Sequence, residues 1–133
     1  MRYWYLATPY AKFEGGAEAA YQEACVWAGK FMRLGVPVFC PIAHTHGIAR
    51  FMPAQTHQFW LDQDFPLLRN SVGVLIPPME GWDHSVGIQR EREACRTWRL
   101  RQYVVPAWFG RIHPEQPHDM RDEVVNFLKE CCR

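Results

Sequence analysis

An α/β fold is what the sequence predicts: a single-domain three-layer sandwich over residues 1–133, built on a mainly parallel, flavodoxin/Rossmann-like sheet of about four to five strands. Three observations predict it. Short apolar runs alternate along the chain with segments of helical periodicity, the order that lays helices over both faces of a parallel sheet. Val72-Gly-Val-Leu-Ile-Pro77 is apolar throughout, as a strand covered on both sides must be. The chain has 133 residues, 48% of them hydrophobic, enough for one core and too few for two.

The elements follow in order. Tyr3-Trp-Tyr-Leu-Ala7 is a short aromatic run ended by Thr8-Pro9 and reads as a buried first strand. Ala20, Ala24, Trp27, Phe31 and Leu34 recur at helical spacing, so a helix is expected from Ala17 to Leu34, with Gly35 as its stop. Val36 to Cys40 reads as a second strand, its proline marking a strand start or an edge. Pro41 to Gln55, with Gly47 and Pro53, is expected to be a long functional loop. A helix from about Thr56 to Arg69 leads to the Val72 strand. Pro77 to His84 is then a loop, and Ser85 caps a helix that runs to Trp98. Gln102 to Val105 is a fourth strand, Trp108 to Gln116 irregular, and Asp119 to Cys132 a final helix.

Composition narrows the function. A formal net charge of +1 argues against a nucleic-acid partner. No stretch of about 18 apolar residues is present and no charged-then-apolar leader, so a cytoplasmic protein without a membrane partner is expected. Five cysteines form no CxxC pair, which fits reduced thiols. His44, His46 and His57 invite a metal reading, but no Cys or carboxylate completes a recognised ligand spacing. Neither a metal nor another cofactor is expected.

Two carboxylates stand where apolar side chains belong. On the Ser85 helix, Glu93 has Arg90 and Arg96 one turn to either side and reads as a salt-bridged surface residue. Glu91 instead has Gly87, Ile88, Ala94 and Cys95 as its neighbours, with no cation on its face. On the preceding helix, Asp64 is surrounded by Trp60, Leu61, Leu67 and Leu68, while Asp62 faces outward. A carboxylate on a packing face is costly unless something uses it. Two such groups on neighbouring helices can meet in one pocket and perform acid–base and nucleophilic chemistry on a sugar. A structural role for Asp64, binding the start of a neighbouring element, is the competing reading. In parallel sheets, ligands bind at the carboxyl ends of the strands. The loops there are Ala7-Thr-Pro-Tyr10, the chain from Cys40, and Pro77 to Ser85.

Tyr5-Leu-Ala-Thr-Pro-Tyr10, Asp64 before the apolar strand, and Gly81-Trp-Asp-His-Ser-Val-Gly-Ile-Gln-Arg-Glu91 together resemble the nucleoside 2-deoxyribosyltransferase-like superfamily, which includes the 2'-deoxynucleoside 5'-monophosphate N-glycosidases. The resemblance covers residues 3 to 108. It implies that Glu91 attacks C1' of the sugar and displaces the base as a glycosyl-enzyme ester. It implies further that Tyr5 positions the nucleophile. Asp64 would serve the sugar hydroxyls and proton transfer around the leaving base, and Tyr10 would line the base pocket. Six residues before the nucleophile the transferases carry an aspartate, whereas the monophosphate N-glycosidases carry a serine. Ser85 therefore tilts the substrate towards a nucleotide and the reaction towards hydrolysis, with Gly87 letting a phosphate approach the helix start. Asp83 is the alternative contact for a sugar 5'-hydroxyl, and Ser85 also reads as an ordinary N-cap. The chain departs from the family pattern at Asn70-Ser71-Val72, where an aspartate is common, and in the glycine-rich phosphate loop, for which Thr8 and Gly15-Gly16 are loose substitutes. Small members complete their pockets with a neighbouring subunit, so a homodimer or higher homo-oligomer is expected.

The leading expectation is thus cleavage of an N-glycosidic bond in a nucleoside or (deoxy)nucleoside 5'-monophosphate, hydrolysis being favoured over base exchange. A catalytically silent nucleotide sensor on the same fold is the alternative, and an interaction module built on the aromatic surface is a third possibility.

Overall fold

The computed structural model describes residues 1–110 and 118–133. Four strands, β1 (Trp4–Leu6), β2 (Val38–Phe39), β3 (Gly73–Ile76) and β4 (Arg101–Val104), form one sheet in the order β2-β1-β3-β4, every pair parallel. Tyr5 is in register with Phe39 on one side and Val74 on the other. This is a Rossmann-like sheet whose strand order reverses between β1 and β3, the crevice in which such folds hold ligands.

The two-residue period of the strands divides the core. Trp4, Leu6 and Leu75 point to the face covered by α1 (Gly16–Arg33) and α5 (His118–Cys131). Tyr5, Ala7, Val74 and Ile76 point to the opposite face, covered by α3 (His57–Arg69) and α4 (Val86–Trp98). The result is the expected α/β three-layer arrangement. On the first face, Ala20, Ala24, Trp27, Ala28 and Phe31 of α1 are buried as one stripe. Gly35 follows with φ of 79°, the left-handed turn that ends the helix. Trp4 Nε1 donates to the Leu128 carbonyl at 3.0 Å and ties the sheet to α5.

The region expected to be a loop from Pro41 to Gln55 is instead a helix for most of its length, α2 (Pro41–Ala49), packed against α1. Pro41 occupies the first helical turn, where its fixed φ suits the helix and its missing N–H costs nothing. Only Pro41 is buried, so no apolar stripe betrays the helix in the sequence. Ser85 caps α4 as expected, its Oγ accepting from the Ile88 N–H at 3.3 Å. Glu93 is exposed, yet among the described residues no ion pair joins it to Arg90 or Arg96. All five cysteines are free. Among the described residues no helix is long and apolar enough to cross a membrane. Of the Trp108 to Gln116 segment expected to be irregular, residues 108–110 belong to a 3-10 turn (Ala107–Gly110), and 111–116 lie outside the described residues.

Candidate active site

Asp64 and Glu91 reach the sheet by the same device. In α3, Leu61, Asp64 and Leu68 share the inward face, and in α4, Ile88, Glu91 and Cys95 do so at identical spacing. Each carboxylate is the middle member of a stripe whose outer members anchor the helix in the core beneath α3 and α4. Tyr5 rises from β1 on the same face and is fully buried.

At the carboxyl ends of β1 and β3 these helices enclose a cavity of about 730 Å³. Tyr10, Asp64, Ser85, Gly87 and Glu91 line it together. Tyr5 lies beneath, its phenol directed at Glu91. Asp83 does not line the cavity: it is exposed on the Trp82–His84 turn, 3.7 Å from the His84 imidazole. His46 and His57 also line the wall, whereas His44 packs against the Phe39 ring. Thr8 stands out in the sequence only as a loose substitute for a phosphate loop. Its hydroxyl is buried on the cavity wall with no hydrogen bond among the described residues, and the Cys40 thiol is its polar neighbour. Nothing in the local pattern Ala-Thr-Pro distinguishes such a threonine from a turn residue.

The electrostatics of the site come from burial. Glu91 is 8% exposed, and loss of solvent pushes its carboxyl up to about 8. The neighbouring Tyr5 hydroxyl works against that rise, and the Asp64 charge adds to it. Asp64, less deeply placed, is pushed by burial to about 6. Tyr5 is raised well above its ordinary value by burial, and then by the charges of Glu91 and Asp64. Its hydroxyl completes no hydrogen bond of standard geometry, so its influence on Glu91 is that of a close dipole rather than a formed bond. The pair is thus split: Asp64 ionises first and Glu91 holds its proton longer. Environments that separate two carboxyl groups in this way assign them different roles. Among the described residues no cluster of three or more His, Cys, Asp or Glu side chains could hold a metal ion.

Residues 2–106 match the family described as a domain of unknown function, DUF1937. The chain belongs to the DUF1937 family. The DUF1937 span contains all four strands, helices α1 to α4, and Tyr5, Tyr10, Asp64, Asp83, Ser85, Gly87 and Glu91. Helix α5, which covers the sheet face away from Glu91, follows it. A comparison with curated proteins finds no match.

Proposed function

We propose that this DUF1937 protein cleaves the N-glycosidic bond of a nucleoside or (deoxy)nucleoside 5'-monophosphate, with Glu91 as nucleophile and water as the favoured acceptor. The observation that carries the reading is the convergence of Glu91 and Asp64 over Tyr5 in one cavity, with the two carboxyl groups held at different acidities. Ionised Glu91 bonds to C1' as the base departs with the electrons of the C1'–N bond, and water then hydrolyses the glycosyl ester. Asp64, the stronger acid of the two, accepts hydrogen bonds from the sugar hydroxyls.

Several features support a nucleotide-sized substrate. A volume of about 730 Å³ is in the range of cofactor and nucleotide sites. Ser85 already accepts from the α4 backbone, which leaves its hydroxyl hydrogen free to donate to a phosphate. A Cβ added at Gly87 would approach nothing closer than the His57 ring at 3.7 Å. The chain's own packing therefore does not require glycine there, and an approaching ligand would use the space. The resemblance to nucleoside 2-deoxyribosyltransferase-like proteins points the same way. A homo-oligomer belongs to this reading, supported by exposed Phe51 and by exposed Val86 on the cavity rim.

One observation favours the second reading, a nucleotide sensor. A carboxyl raised to about 8 is mostly protonated at neutral pH, and a neutral acid donates a hydrogen bond more readily than it attacks. Chromatography of reaction mixtures separates the two. Purified protein is incubated with nucleosides and their 5'-monophosphates, with and without a second free base. Base release from monophosphates supports the hydrolase, and new nucleoside appearing only with added base identifies a transferase. Thermal stabilisation without release, unchanged in Glu91→Gln, supports the sensor.

A further inference from the structure

A second chain of polar groups reaches the same cavity from the loop after β1, α1 and α2 rather than from the carboxylates' helices. Tyr10 lies in the loop after β1 and lines the cavity. Its Oη is 2.8 Å from His46 Nδ1 on α2, and His46 Nε2 is 2.7 Å from Glu18 Oε2 in the first turn of α1. Both imidazole nitrogens are therefore engaged. The Tyr21 ring stacks on His46 at 4.3 Å and 16°, and the Tyr10 ring meets it edge-on at 5.8 Å. The imidazole is thus clamped from two sides. Glu18 also accepts from Gln22 Nε2 at 2.9 Å. The Gln22 and His46 hydrogen bonds hold its carboxyl below the usual range. Arg50, near Glu18 and Tyr21, and Cys25, beside Tyr21, are the other ionisable groups around the cluster.

Ionised Glu18 accepts only, so Nε2 carries hydrogen and Nδ1 is left with two states. Neutral His46 accepts at Nδ1 from the Tyr10 O–H. Protonated His46 donates from Nδ1 to the Tyr10 oxygen, which turns the phenol hydrogen out of that bond and towards the cavity. A proton taken up by the imidazole can in this way reach a ligand through Tyr10. A structural tie between α1 and α2 would need only one of these contacts and would not require a cavity-lining end.

We propose that Glu18, His46 and Tyr10 form a proton relay that protonates the leaving base. The proposal rests on the reading of Glu91 as glycosidic nucleophile. As the C1'–N bond breaks and its electron pair moves to the base nitrogen, the Tyr10 O–H gives its proton to the base. The Nδ1–H of imidazolium His46 replaces that proton, leaving neutral imidazole. Hydrolysis of the Glu91 ester by water releases one proton, which recharges His46 and closes the cycle. Tyr10 is the catalytic member, whereas His46 and Glu18 act through it.

The test compares substrates that differ only in whether the base needs a proton to leave. The pair is guanosine 5'-monophosphate or its deoxy form against the N7-methylated, already cationic counterpart, and for a pyrimidine-selective protein, a uracil nucleotide against its 5-nitrouracil counterpart. In Tyr10→Phe and His46→Gln, kcat on the ordinary base should fall about 100-fold or more, while the activated substrate loses only a few-fold. Exposed Glu18→Gln, which leaves the core untouched, should show the same selectivity more weakly. Equal losses on both substrates would mean a structural tie, and no loss on either would remove the relay altogether. Wild-type protein that cleaves neither substrate would overturn the Glu91 reading and the relay with it. That result differs from a wild type that cleaves both while its variants show no selectivity.

Discussion

Burial raises the Glu91 carboxyl and the Asp64 charge, facing it across the gap between two helices, adds to that rise, which makes Glu91 the deeper and more reluctant acid of the pair. The order follows from placement. Glu91 is buried at the centre of its stripe, while Asp64 is half-buried at the cavity wall. Near neutrality the site therefore holds one negative charge, seated on Asp64, and one proton, seated on Glu91. On the proposed reading, cleavage needs that proton removed, so Glu91 is the titrating group whose state would limit the reaction.

Glu91→Gln should abolish turnover while leaving the fold intact. Glutamine keeps the shape and removes only the ionised form, so kcat should fall about 10³-fold or more. Ligand-induced thermal stabilisation should persist. A variant that melts well below wild type at pH 6, where Glu91 is already protonated, would mark Glu91 as a structural residue instead.

Stability itself should report the burial of Glu91. Its carboxyl ionises at an ordinary 4.5 in the unfolded chain and at about 8 in the folded one. Between those values the folded state binds more protons, so the stabilising contribution is fully present below about 4.5 and is lost as pH rises through about 8. Denaturant melts across this window should show wild-type stability declining by a few kcal/mol, since each tenfold change in a proton-binding constant is worth about 1.4 kcal/mol. Glu91→Gln should remove the decline above about pH 6, leaving the smaller one that Asp64 contributes between its ordinary 3.8 and about 6, and be the more stable protein above pH 8.

Asp64→Asn and Tyr5→Phe should move the pH–rate profile in opposite directions. Removing the Asp64 charge lets Glu91 ionise more easily, so the rising limb of kcat/KM shifts to lower pH. Removing the Tyr5 hydroxyl takes away the dipole that favours ionised Glu91, and the limb shifts to higher pH. Tyr5→Phe should also cost no stability, because the buried hydroxyl completes no standard hydrogen bond, and relief of that desolvation is worth about 1 kcal/mol. Shifts in the same direction for both variants would show that one of the two groups does not act through Glu91 in the way argued.

What the sequence made legible was periodic. The stripes Leu61-Asp64-Leu68 and Ile88-Glu91-Cys95 announce inward carboxylates because helical spacing alone decides which side chains share a face. Ser85 announces itself by cap chemistry, and β3 by its unbroken apolar run. Helix α2 was hidden because its nine residues bury little and open on a proline. The contacts among Tyr10, His46 and Glu18 were hidden because they join residues 36 and 28 positions apart, and no local pattern records a pairing made by the packing of α2 on α1. Asp83 shows the converse limit. It stands only two residues from Ser85 in the sequence, near enough to be offered as a substitute substrate contact, but the Trp82–His84 turn leaves it exposed and outside the cavity wall.

Gly73→Ala provides a test of the scaffold that does not touch the cavity. Gly73 opens β3 opposite Arg101 of β4, and a Cβ there would overlap the Arg101 carbonyl oxygen and stand 2.6 Å from its carbon. These are backbone atoms in a hydrogen-bonded pair of strands, so no rotamer change relieves the overlap. The strands must separate locally, and because Val74 and Ile76 of β3 support Ile88 and Cys95 in one core cluster, the displacement reaches the helix that carries Glu91. The substitution should therefore destabilise the protein by about 3 kcal/mol or more, read as a lower denaturation midpoint with an unchanged m-value. Activity per folded molecule should fall as well, because the cost is borne by the strand under α4. A variant as stable as wild type would show that the β3–β4 approach is looser than the register of Gly73 with Arg101 implies.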